Sequence, residues 1–149
     1  MTVLVDSGVF YAQADRSASR HETATKALSA VLHGEYGQPY LTDYIYDETV
    51  TLALARTDSH AEAMRLGRQL RGAGDFPDLF SLRNLSQSVF ETAVGVFERY
   101  DDQRLSFTDA TTVAFAETND IDTVLSFDDD FDGLVDRTDP ADVAAEHNP

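Results

Sequence analysis

The 149-residue chain has no cysteine, which excludes disulfides, thiolate zinc sites and cysteine nucleophiles. No apolar run approaches the ~20 residues that a membrane-spanning helix needs, and no basic segment leads into an apolar stretch at the N-terminus to suggest a signal peptide. Both features lead us to expect a cytoplasmic protein with no membrane partner. Basic residues are scarce: 11 Lys and Arg stand against 27 Asp and Glu, for a formal net charge of −16, and the only lysine is Lys26. Acidic composition can signal disorder, but the apolar periodicity here is intact, with 42% hydrophobic residues. Salt adaptation accounts better for the charge, because concentrated salt screens self-repulsion to within ~3 Å at 1 M. A halophilic source is therefore expected, and many of the acids are expected to be solvated surface.

What is present is an α/β pattern. Thr2-Val3-Leu4-Val5 reads as a buried central strand that runs directly into Asp6-Ser7-Gly8. Open α/β sheets bind ligands beyond the carboxyl ends of such strands. Asp6 also suits the cap of a helix over 8–14. Helices are expected over about 20–33 (capped by Ser17 or Ser19), 43–56 (capped by Thr42), 59–71, 86–100 and 106–118, with strands at 38–42, 79–85, 121–127 and 134–136. On the helix from Ser86, Val89, Phe90, Ala93, Val94 and Phe97 form the expected buried face. Residues 101–105 read as a loop. The alternation gives a single α/β domain over 1–137, with a central parallel sheet of four to five short strands flanked by helices, and a polar tail over 138–149 expected to fray.

Four carboxylates stand out. Asp6 and Asp128 end strands, and right-handed crossovers bring those ends to one edge. Glu48 shares a stripe with Ile45, Leu52 and Ala55 on a helix expected to be largely buried, and a charge there is costly without a partner or a metal. Asp109 opens a helix, where Ser106-x-x-Asp109 also has the form of a capping box. Asp43 and Asp47 lie toward other sides of their helix. Carboxylates that converge without lysine or cysteine titrate upward or hold divalent cations. Mg2+ or Mn2+ suits oxygen donors, and two such ions ~4 Å apart can assist phosphodiester hydrolysis. Arg65, Arg68 and Arg71, with Arg56 just before them, form a basic strip. It suits either phosphate or partner contact or a plain solvated helix face.

Four segments, in order, carry a family resemblance: Val5-Asp6-Ser7-Gly8, Tyr46-Asp47-Glu48-Thr49-Val50, Leu105-Ser106-Phe107-Thr108-Asp109-Ala110 and Ser126-Phe127-Asp128-Asp129-Asp130-Phe131. From about Thr2 to Val135 the chain resembles a PIN domain of the compact kind found as VapC toxins of type II toxin–antitoxin pairs. The resemblance implies a Mg2+- or Mn2+-dependent endoribonuclease in which a metal-activated water attacks the RNA phosphodiester. Asp6, Glu48, Asp109 and Asp128 would be its catalytic and metal-binding acids, with Ser7 and Asp130 accessory and Phe131 core. It also implies an antitoxin partner and a homodimer. Three rivals arise. A PIN nuclease of RNA processing usually carries an appended domain. A receiver domain needs a late lysine. Asp128-x-Asp130-x-Asp132-Gly133, running to Asp139, has the outline of an EF-hand calcium loop, but with Asp where the twelfth position calls for Glu and a strand where a helix should precede.

Overall fold

The computed structural model describes residues 1–101 and 104–147. Of the loop read at 101–105, Asp102 and Gln103 lie outside the described residues. The elements are β1 (Thr2–Val5), α1 (Ser7–Ala14), α2 (His21–Leu32), β2 (Gln38–Thr42), α3 (Asp43–Thr57), α4 (His60–Arg71), β3 (Ser81–Arg83), α5 (Gln87–Arg99), α6 (Phe107–Thr118), β4 (Thr123–Leu125), a 3-10 turn at Asp129–Phe131, β5 (Arg137–Thr138) and α7 (Pro140–Glu146). The five strands form one parallel sheet in the order β3-β2-β1-β4-β5. The α/β domain with a central parallel sheet is thus as expected.

β1 is the sheet's centre because its sequence leaves it nowhere else to go. Val3, Leu4 and Val5 are fully buried, and burying each such side chain contributes roughly 1.5–3 kcal/mol. Strands β2 and β3 extend the sheet on one side of β1, and β4 and β5 on the other. The order therefore reverses between β1 and β4, and the crevice at their carboxyl ends is where this architecture places ligands. The Asp6 amide donates to the Leu125 carbonyl at 3.0 Å, closing the two strand ends against each other.

Several boundaries move. β3 and β4 keep only three residues each of the longer runs expected, and the fifth strand forms at Arg137–Thr138 rather than at 134–136. Arg20 caps α2 with no side-chain bond, so neither Ser17 nor Ser19 does so. α3 buries only Ile45, Thr49 and Ala53, leaving Leu54 exposed, so it is half-covered rather than largely buried. On α5 the buried residues are Val89, Ala93 and Val96. Phe90 and Phe97 are exposed instead, their rings edge-on to Phe107 at 5.6 and 5.8 Å. Within the tail expected to fray, Pro140–Glu146 form α7, while Asn148 and Pro149 lie outside the described residues. Asp139 caps α7 through the Ala141 amide at 2.9 Å, Pro140 occupies its first turn, and Val143 is buried where the helix packs on α2.

Candidate functional site

An open cleft of about 980 Å³ lies at the carboxyl edge of the sheet, and Asp6, Glu48, Asp109 and Asp128 all line it. They arrive on four separate elements. Asp6 follows β1 and caps α1, its Oδ1 accepting from the Ser7 amide at 2.9 Å. Its Oδ2 accepts from the Ser126 hydroxyl at 2.7 Å, and that same hydroxyl accepts from the Asp128 amide at 3.0 Å. Ser126 is fully buried, so one hydroxyl at the end of β4 fixes both strand-end acids. Glu48 reaches the cleft from the second turn of α3, and its Oε1 accepts a hydrogen bond from the Ser7 hydroxyl. Asp109 sits in the first turn of α6 within a complete capping box: its Oδ2 accepts from the Ser106 amide at 3.1 Å, and its own amide donates to Ser106 Oγ at 3.0 Å.

Burial sets the protonation of this group. Asp6 is pushed up to about 7, first by loss of water and then by repulsion from Asp109 and Glu48, against the opposing pull of the Ser126 and Ser7 hydrogen bonds. Asp109 is pushed up to about 6, again chiefly by burial, with Glu48 and Asp128 adding repulsion and Ser106 opposing it. Among the described residues lining the cleft there is no lysine, histidine or cysteine, and the donors are carboxylate and hydroxyl oxygens. A hard divalent cation fits that donor set; it would stabilise the ionised forms that burial disfavours and offset the repulsion among the acids.

The remaining candidates fall elsewhere. Ser7 is buried in the cleft wall with its hydroxyl committed to Glu48. Asp130 is exposed on the 3-10 turn, and repulsion from Asp128 raises its pKa. Among the described residues, Asp128, Asp129 and Asp130 are the acids that bring one oxygen each within 4.8 Å of one another. Arg65, Arg68 and Arg71 are exposed on α4. Of these, Arg65 lines a neighbouring cleft that meets the acidic cleft at Tyr11 and Asp15. Asp43 is structural, its Oδ1 accepting from the Tyr44 and Leu85 amides. The calcium-loop outline does not survive: β4 precedes it, Asp132 is engaged by Arg137 at 2.7 Å, and Asp139 caps α7. Phe131 is fully buried against Val96, Ala110 and Val113.

Beside the acids, Ser126 and Arg20 were not singled out from sequence, and Arg56 was named only as the residue preceding the basic strip. Ser126 stood in the last of the four segments, and a small hydroxyl residue at a strand end was its signal. Arg56 follows Glu48 and Leu52 at four-residue steps, and all three line the cleft. Arg20 had no signal in its spacing; the fold brings it to the cleft over Phe127.

A sequence profile of the PIN domain matches residues 3–136. The chain belongs to the PIN domain family. Among curated proteins, no sequence matches it significantly. Solved structures agree on the fold of this PIN domain. The Mycobacterium tuberculosis toxin VapC20, described as cleaving the sarcin-ricin loop, superposes with a TM-score of 0.74 at 23% identity, over 87% of this chain and 92% of its own. FitAcB from Neisseria gonorrhoeae gives 0.65 at 16% identity, over 93% and 97%. A toxin–antitoxin complex from Klebsiella pneumoniae gives 0.62 at 21% identity, over the same shares.

Proposed function

We propose that this PIN domain is a divalent-metal-dependent endoribonuclease acting as the toxin of a type II toxin–antitoxin pair. The observation that carries the reading is the meeting of Asp6, Glu48, Asp109 and Asp128 in one open cleft, with two of the four buried enough to oppose proton loss. Mg2+ or Mn2+ bound there supplies Lewis-acid activation for phosphodiester hydrolysis. The chain's own residues set the geometry. Ser126 orients the Asp6 carboxylate and the Asp128 amide, Ser7 orients Glu48, and the capping box fixes Asp109. Four carboxyl side chains held by hydrogen bonds need little rearrangement to receive a cation, which is the advantage of a preorganised polar site. The open form of the cleft suits a single-stranded or looped RNA, whose backbone can be laid against it.

Similarity to a sarcin-ricin loop cleaving toxin and to a toxin–antitoxin complex supports RNA as substrate and an antitoxin as partner. The reading extends to a homodimer in the cytoplasm of a salt-adapted cell, where screening lets an acidic body approach RNA. Incubating total cellular RNA with wild type or Asp6→Asn at high KCl, with Mn2+, Mg2+ or EDTA, tests it. Cleavage is expected from the wild type with either metal, and none from it in EDTA or from a folded Asp6→Asn. Equal cleavage by both proteins would contradict the reading.

A further inference from the structure

The cleft holds two cations that the chemistry above leaves unassigned, and we infer that Arg20 and Arg56 grip the RNA phosphates flanking the one that is cut. The inference rests on the nuclease reading and names substrate-binding residues for it. The Arg20 guanidinium carbon lies 4.7 Å from the ring centroid of Phe127, the residue before Asp128. That of Arg56 lies 4.9 Å from the ring centroid of Tyr11, one turn beyond Ser7 in α1. Each arginine is thus braced on a residue adjoining the acidic site, one on the Asp128 side and the other on the Ser7–Glu48 side.

A guanidinium carries five N–H donors, and contact with one ring leaves donors that match two phosphate oxygens. Arg56 also faces the Tyr11 hydroxyl, which donates to Asp15, so part of its edge is engaged there, whereas among the described residues Arg20 has its ring contact alone. Both side chains are exposed, and among the described residues neither lies within 4.0 Å of a carboxylate oxygen. Among the described residues no other lysine or arginine lines this cleft. A chain of net charge −16 repels a polyanion at long range. Attraction therefore depends on cations placed where the strand must pass, and these two are so placed. The strip of Arg65, Arg68 and Arg71 is not.

The probe is a fluorescein-labelled single-stranded RNA of about ten nucleotides, a length within the range that single-strand grooves hold. Its binding to Asp6→Asn, which leaves it uncut, is measured by anisotropy across a KCl series in Mg2+. Arg20→Gln or Arg56→Gln added to that background is expected to weaken binding about tenfold. Each should also lower the slope of log affinity against log salt by about 0.7. Arg83→Gln is the control: Arg83 stacks on Tyr40 at 5.4 Å outside the cleft, and its loss removes the same charge. In the otherwise wild-type protein, Arg20→Gln and Arg56→Gln should raise KM with little change in kcat, and lysine at either position should restore only part of the loss. If both glutamine variants match Arg83→Gln while the wild type cleaves RNA with metal, the inference falls and the nuclease reading stands. A wild type that neither binds nor cleaves RNA removes both. RNA binding that stays intact while antitoxin binding is lost would also overturn the inference, by reassigning these arginines to the partner.

Discussion

At the scale of single residues, the cleft carboxylates hold helix starts together as well as forming the site. Asp6 accepts from the first amide of α1, Asp109 completes the capping box of α6, and Asp128 Oδ1 accepts from the Asp130 amide at 2.9 Å to start the 3-10 turn. Helix amino ends favour negative charge, yet burial and mutual repulsion outweigh those bonds and lift Asp6 to about 7. The direction fixes a pH effect. A carboxyl group with a folded pKa above its unfolded value binds more protons in the native state, so its contribution to stability falls as pH rises from 3.8 through about 7. Removing the charge with Asp6→Asn should stabilise the metal-free protein by on the order of 2–4 kcal/mol above pH ~7, with little effect below pH ~4. Urea unfolding in EDTA at both ends of that window checks this, and a variant no more stable than wild type at the upper end would refute it.

At the scale of elements, the features legible in the sequence are those set by local chemistry. β1 was readable as an unbroken apolar run. Thr42, Ser86 and Ser106 were readable as caps because each bonds an amide three residues on. Asp6, Glu48, Asp109 and Asp128 were readable as candidates because a strand end, an apolar stripe and a helix start each make a carboxylate conspicuous. The features that were not legible depend on distant partners. β5 is two residues long and exists only by pairing with β4. α7 looks polar because a single valine, Val143, anchors it on α2, although Asp139-Pro140 carried a cap-then-proline start signal. Phe90 and Phe97 have core-like periodicity but meet Phe107 at the surface. Ser106→Ala removes the acceptor of the Asp109 amide and one of the bonds that restrain Asp109. It should cost about 1 kcal/mol of stability and raise the pKa of Asp109 further. Denaturant unfolding measures the first effect, and a change of only a few tenths of a kcal/mol would mean that the box does not hold α6.

At the scale of the whole molecule, a net charge of −16 places most of the surface under self-repulsion. The Debye length falls from about 10 Å at 0.1 M to about 3 Å at 1 M. The unfolding midpoint should therefore rise with KCl over that range, and a midpoint that falls as salt is added would count against salt adaptation. The same repulsion is concentrated in the cleft, where the proposal that four acids form one cation site can be tested directly. Calorimetric titration of the metal-free protein with MnCl2 near neutral pH makes that test. The predicted result is binding accompanied by proton release, because Asp6 titrates near 7. Affinity should drop at least about tenfold in Asp6→Asn and be nearly unchanged in Asp130→Asn. Equal affinity in wild type and Asp6→Asn, with binding lost in Asp130→Asn, would place the ion on the exposed Asp128–Asp130 turn and contradict a quartet site.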